Sequence, residues 1–397
     1  MIQQQPKIIS QGTYGCIFRP GFDCKGKTIK TKKYITKVQR KADISQKETE
    51  ISEIIKTIPH YDDYFAPILE SCDIDIAKIE SNEIKKCEFI EPSTQPKKYK
   101  TNKIKYIGEK TLEEYIFSLF ANKSSKKRKN LEKLITTHVK ILTSLNKMSS
   151  YGLVHNDIKE NNIVCERNGN PILIDFGLSI NVNRIEPSSA NTPELRIANY
   201  KKQDTFFLYD TTYDYWCIDI CALSYMFNEL GGKDGSWKDA TIKQENINYL
   251  INDFMTPKDR YIKTLFRPTD KTKYQAYFGK FVGKKWSILF DELIKRKNTW
   301  DNYALTVTYI IILMDLHLAE LPILKLYAEY MLTILRSTPE ERPTTKDTIT
   351  KLKAIFSNTI PIKQIKQTDI QNNQMAISEN IEKTKINQIQ GDAKLLQ

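Results

Sequence analysis

Leu131, Leu134, Ile135, Val139, Leu142 and Leu145 recur mainly at spacings of three and four, which predicts a helix over Leu131–Ser150 with Gly152 as its stop. A second helix is expected near Ile44 to Ile58. The most apolar stretch, Tyr303 to Leu326, is broken by Asp315, His317 and Glu320. It reads as a buried helix pair and not as a membrane span, which needs roughly 18 to 20 apolar residues in a row. Two short apolar runs, Ile163 to Cys165 and Ile172 to Ile174, lie between these segments. The polar segment Cys72 to Asn102, with Pro92 and Pro96, is longer than a hairpin turn and reads as an insertion between two strands. Residues 358–397, rich in Gln, Asn and Lys and without aromatics, read as a disordered tail or a lone helix.

The chemistry falls between the predicted helices. His155, Asn156, Asp157, Ile158, Lys159, Glu160, Asn161 and Asn162 form one run, and Asp175-Phe176-Gly177 follows it. A carboxylate at 157, an amide five positions on and a second carboxylate at 175 are the groups that phosphoryl transfer to a hydroxyl needs. One orients the attacking oxygen and two hold magnesium on the phosphates.

In this order and spacing the motifs resemble those of eukaryotic-type serine/threonine protein kinases, and the resemblance extends over most of residues 10–356. It implies an α+β, bilobal fold. A small antiparallel-sheet lobe with one helix would occupy residues 1–106, and a larger, mainly helical lobe residues 107–357, with Lys105 to Ile107 as the hinge. Ser10, Gln11, Gly12, Thr13, Tyr14, Gly15, Cys16 and Ile17 resemble the glycine-rich phosphate loop, although Ser10 stands where a first glycine is usual. Lys37, in Tyr34-Ile35-Thr36-Lys37, would contact the ATP phosphates and pair with a glutamate of the next helix. Of Glu48, Glu50 and Glu53, the reading favours Glu50, because Ile51 and Ile54 lie one and four residues on.

The same resemblance makes Asp157 the residue that takes the hydroxyl proton and Lys159 the one that steadies the transferring group and points to Ser/Thr substrates. Asn162 and Asp175 become the Mg2+ ligands, and His155 packs under Phe176. Thr192-Pro193-Glu194 would end the activation segment, with Arg342 pairing its glutamate. Asp214-Tyr215-Trp216 would start the central buried helix and brace the catalytic loop. Asn156 replaces the usual arginine, so activity is expected not to wait for phosphorylation at Ser188, Ser189 or Thr192. Gly12 to Pro20, with Cys24-Lys25-Gly26, also resembles kinases carried by large DNA viruses, which would place the protein in host cytoplasm or virion. Two rival classes share part of the pattern. A small-molecule or lipid phosphotransferase is opposed by Lys159, Thr192-Pro193-Glu194 and Arg342, and a pseudokinase scaffold by the filled catalytic positions.

Composition sets limits on these readings. The 397 residues carry a net charge of +13, mostly from lysine. The runs Lys97 to Lys105 and Lys123 to Lys129 read as solvated loops in preference to a nucleic-acid contact, since charge runs usually face water. Seven cysteines without a Cys-x-x-Cys pair fit a reducing compartment and give no metal-site spacing, and Cys16 is a candidate reactive thiol. Met1 to Ser10 lacks the apolar core of a signal peptide, so an intracellular product is expected.

Overall fold

The computed structural model describes residues 6–12, 15–40, 43–79, 82–88, 90, 99–121, 127–187, 195–196, 199, 206, 208–230, 235–256, 261–318 and 324–359. Five strands form an antiparallel sheet: β1 (Lys7–Gly12), β2 (Gly15–Arg19), β3 (Tyr34–Arg40), β4 (Ile68–Ile74) and β5 (Tyr99–Lys105), in the order β1-β2-β3-β5-β4. One helix, α1 (Asp43–Lys56), crosses between β3 and β4. Ile51 and Ile55 on its inner face, with Ile58 just beyond it, join the large helical core, whereas Cys16, Phe18, Val38 and Tyr99 form a separate cluster with Ile79, Ile84 and Cys87.

The insertion therefore packs onto the sheet. It is also shorter than the sequence suggests, because Cys72–Ile74 and Tyr99–Asn102 pair as strand and only residues 75–98 lie between. One disulfide, Cys16–Cys87, ties the insertion to β2, and a second, Cys24–Cys72, ties the loop between β2 and β3 to β4. The expectation of reduced cysteines, with Cys16 as a reactive thiol, is thereby overturned: the spacing along the chain gave no sign of cysteines that only the folded sheet brings together. Cys165, Cys217 and Cys221 remain free and buried.

The hinge leads through β6 (Lys110–Thr111) into α2 (Leu112–Phe120). The Thr111 hydroxyl accepts from the Glu114 backbone N–H while the Glu114 carboxylate accepts from that of Thr111, a reciprocal cap. The long helix α3 (Lys127–Ser150) buries Leu131, Leu134, Leu142 and Leu145 as its periodicity requires. Gly152 ends it at φ 71°, and a Cβ there would stand 2.0 Å from Asn183 Oδ1. Two short pairings follow, β7 (Leu153–Val154) with β10 (Ile180–Asn181), and β8 (Ile163–Cys165) with β6 and β9 (Pro171–Leu173). These pairings tie down both ends of the loops between them. Among the described residues the helices that follow are α4 (Ile218–Glu229), α5 (Gln244–Met255), α6 (Pro268–Gly279), α7 (Trp286–Ile294), α8 (Trp300–Asp315), α9 (Lys325–Arg336) and α10 (Thr345–Thr359).

Of the Tyr303 to Leu326 stretch, α8 covers the part up to Asp315 and is buried from Trp300 to Ile310, whereas α9 contributes only Lys325 and the exposed Leu326, so one buried helix stands among the described residues where a pair was expected. No helix among the described residues is long and apolar enough to cross a membrane. Thr13, Tyr14, Ser188, Ser189, Thr192-Pro193-Glu194 and nearly all of the tail lie outside the described residues.

Candidate active site

Lys37 sits in the middle strand of the sheet, opposite Ile17 of β2 and Asn102 of β5, with its side chain almost fully buried. Its ammonium lies 3.1 and 3.2 Å from the two oxygens of Glu48 and 3.0 Å from Asp175 Oδ1. Burial alone would lower the pKa of this amine, but Glu48 and Asp175 reverse that and hold it above its ordinary value. The sequence reading named Glu50, and the geometry corrects it. Glu48, Ile51, Ser52 and Ile55 are buried along one face of α1, the i, i+3, i+4, i+7 stripe that faces the sheet. Glu50 is turned about 200° from Glu48 around the axis and pairs with Arg184 at 3.0 Å instead. Glu53 pairs with Lys56 on the surface. Glu48→Ala is thus expected to lower phosphoryl transfer by roughly tenfold or more, the worth of about one charge-assisted contact, with Glu50→Ala staying within about twofold. A rate assay on the two purified variants decides it, and the reverse ranking would overturn the assignment.

Of the phosphate-loop residues, Ser10, Gln11 and Gly12 end β1 and Gly15, Cys16 and Ile17 begin β2, with Gly12 opposite Gly15. Gly15 is required for a reason absent from the motif. A Cβ there would lie 2.3 Å from Val38 O, so β2 can approach β3 only without a side chain.

The catalytic loop is anchored from three sides. His155 packs against Phe176, their rings 5.2 Å apart, and its Nε2 lies 3.1 Å from Ile174 O. Asn156 adopts φ 62°, a left-handed conformation that asparagine tolerates better than most residues. Asp301, near the start of α8, accepts the backbone N–H groups of His155 at 2.8 Å and Asn156 at 2.9 Å. Burial pushes the Asp301 carboxyl up, and these two donors partly offset that. Asp301 thus braces this loop directly, a role that the sequence reading gave to Asp214. Trp216 reaches the loop by donating its indole N–H to Asn156 O at 2.9 Å, and the helix after it starts only at Ile218. A carboxylate in the first turn of a long, mostly apolar helix is the available signal for Asp301.

Within the loop, Asn162 Nδ2 donates to Asp157 O at 2.8 Å and to Asp157 Oδ2 at 2.6 Å, and Lys159 Nζ lies 3.2 Å from the same Oδ2. The Tyr213 hydroxyl, unnoticed in the sequence, donates to Asp157 Oδ1. Burial and the Asp157 charge raise the Tyr213 phenol's pKa, so it stays a donor. A carboxylate offers about four lone-pair sites. With two donors on Oδ2 and one on Oδ1, Asp157 keeps one acceptor position for an incoming hydroxyl.

Asp175 projects from a residue at φ 61° directly after Ile174, whose N–H donates to Asn162 O at 3.0 Å, so the two expected metal ligands are tied together through the backbone. Although desolvation opposes ionisation, Lys37 keeps the Asp175 carboxyl below its usual range. Asn162 spends its amide N–H on Asp157, which leaves an amide oxygen beside a carboxylate. Hard oxygen donors of this kind suit magnesium.

Arg342 does not stand alone for Glu194. Its guanidinium lies 2.9 Å from Asp219 Oδ2 and 3.2 Å from Thr299 Oγ1, and Trp300 Nε1 donates to Asp219 Oδ1 at 3.2 Å. This network fixes the start of α8, and with it Asp301.

A family model described as protein kinase domain matches residues 97–352, which include Asp157, Asn162 and Asp175 and begin downstream of Lys37 and Glu48. No curated protein matches the chain closely enough to serve as a named relative. With well over half of its length matched and an antiparallel sheet set against a helical body around the Lys37, Asp157 and Asp175 cluster, the chain belongs to the protein kinase family.

Proposed function

We propose that the chain transfers the γ-phosphoryl group of ATP to Ser or Thr hydroxyls of proteins, with residues 1–106 as the small lobe, 107–357 as the large lobe and the nucleotide between them. The observation that carries this reading is the convergence of Lys37, Glu48 and Asp175 on one side of the site and Asp157, Lys159 and Asn162 on the other. Lys37, made rigid by Glu48, binds phosphate oxygens, and the strands that carry Gly12 and Gly15 bring backbone N–H groups over them. Asn162 and Asp175 would hold Mg2+, which when bound neutralises charge on the phosphates. Asp157 uses its remaining acceptor position to orient the hydroxyl and takes its proton late, and Lys159, already beside that carboxylate, meets the charge of the transferring group. Lys159 also supports an alcohol acceptor over a phenol.

The test is incubation of the purified chain with labelled ATP, magnesium and a panel of proteins, followed by phosphoamino-acid analysis. Label on phosphoserine and phosphothreonine is expected. Label confined to phosphotyrosine, or to small molecules, would sink the proposal.

A further inference from the structure

A cavity of about 670 Å³ opens beside the hinge, away from the cluster around Asp157, lined by residues from four separate backbone segments. Arg19 comes from the end of β2, Lys32 and Lys33 from the loop before β3, Tyr106 from the hinge, and Glu166 and Arg167 from the turn between β8 and β9. We propose that this cavity is a binding site for a phosphate monoester dianion carried on a protein segment, such as a phosphoserine side chain.

Three observations support it. The first is preorganisation of the arginine. The Arg19 guanidinium carbon lies 3.4 Å from the centre of the Tyr106 ring, its Nη1 lies 3.6 Å from Glu109, and its buried Nε has no hydrogen-bond partner among the described residues. A stacked, planar guanidinium with donors to spare presents the fork that phosphate oxygens accept.

The second is that the other segments are pinned. The Tyr106 N–H donates to Lys33 O at 2.8 Å, which fixes the loop before β3 to the hinge. The turn that carries Arg167 is closed by Glu166 N–H to Asn170 O at 2.9 Å and Gly169 N–H to Glu166 O at 2.8 Å. The third is charge. Arg19, Lys32, Lys33 and Arg167 face Glu166 in the lining and Glu109 at the rim, an excess of two positive charges (four minus two). A phosphomonoester carries about −1.5 to −2 at neutral pH, which matches the excess, whereas a single carboxylate leaves one charge uncompensated. The volume also exceeds what a lone phosphate fills, which leaves room for flanking residues of a segment.

This site does not depend on phosphoryl transfer by the chain. It is tested by calorimetric titration of the full chain, with ADP and magnesium saturating the nucleotide site, using a short phosphoserine peptide, its unphosphorylated and glutamate counterparts, and inorganic phosphate. The phosphopeptide is expected to bind, and the unphosphorylated and glutamate peptides at least about tenfold more weakly. Arg167→Glu and the double change Lys32→Glu/Lys33→Glu, all at exposed positions, are expected to weaken the phosphopeptide at least about tenfold, and Lys37→Ala to leave it unchanged. Inorganic phosphate binding as tightly as the peptide keeps the anion chemistry and overturns the protein segment as its source. No binding, equal binding of the glutamate peptide, or loss on Lys37→Ala but not on Arg167→Glu overturns the site.

Discussion

Asp157→Ala is expected to lower turnover roughly 10²- to 10⁴-fold, the usual worth of a positioned acid or base, while nucleotide affinity changes little. Asp157 makes no contact with Lys37, and its role in the proposal begins only when the hydroxyl must be aligned and deprotonated. Its removal does free the Asn162 amide, so a small change in magnesium-nucleotide affinity, within about threefold, accompanies the loss. Asp175→Asn should behave differently. It removes the charge that faces Lys37 at 3.0 Å and one of the two proposed metal ligands, so affinity and turnover fall together. Titration of each variant with ADP and magnesium, alongside single-turnover rates, separates the two patterns. An Asp157→Ala protein that is folded and as fast as the parent would remove the proposed mechanism.

The second large effect is on stability. Arg342 and Asp219 are fully buried, and removing either partner leaves an uncompensated charge in the core. Arg342→Ala and Asp219→Ala are each expected to cost about 3–5 kcal/mol, read as a lowered midpoint in urea at unchanged slope. A double change to apolar residues of similar volume, Asp219→Leu with Arg342→Met, should recover much of that loss, because the cost arises from the unpaired charge and not from the lost attraction. If the double variant is no more stable than the worse single one, the hydrogen bonds to Thr299 and Trp300 matter more than the charge balance.

What was legible in the sequence was local. Asp157, Lys159, Asn162 and Asp175 lie on two neighbouring loops whose short spacing fixes their relation, and α3 announced itself through its own period. Glu50 was preferred because Ile51 and Ile54 were weighed by proximity, yet the inward stripe of α1 runs through Glu48, Ile51, Ser52 and Ile55, and Ser52 belongs to it despite being polar. Its hydroxyl accepts the Ile68 N–H at 3.1 Å. The insertion reads wider in the sequence than it is because β4 is an edge strand. Glu70, Ser71 and Asp73 there face water in part and carry no hydrophobic signal. Asp301 and Tyr213 act on residues 145 or 146 and 56 positions away, and a reading by neighbourhood has no access to such pairings. The Thr192-Pro193-Glu194 motif lies outside the described residues, and Arg342, read as its partner, has Asp219 at hand.

The two disulfides are concentric. Residues 24 and 72 close a loop of sequence separation 48 that lies wholly inside the loop of separation 71 closed by residues 16 and 87. In a chain-entropy picture each link alone restricts the unfolded state by about 4 kcal/mol, but once the inner loop is shut the outer one closes a ring of only about 23 residues, worth about 3 kcal/mol. The two cross-links are thus redundant in part. Either one keeps the first third of the chain short of full extension when it unfolds, so the strands flanking the nucleotide site would find their register again from a ring and not from an open coil.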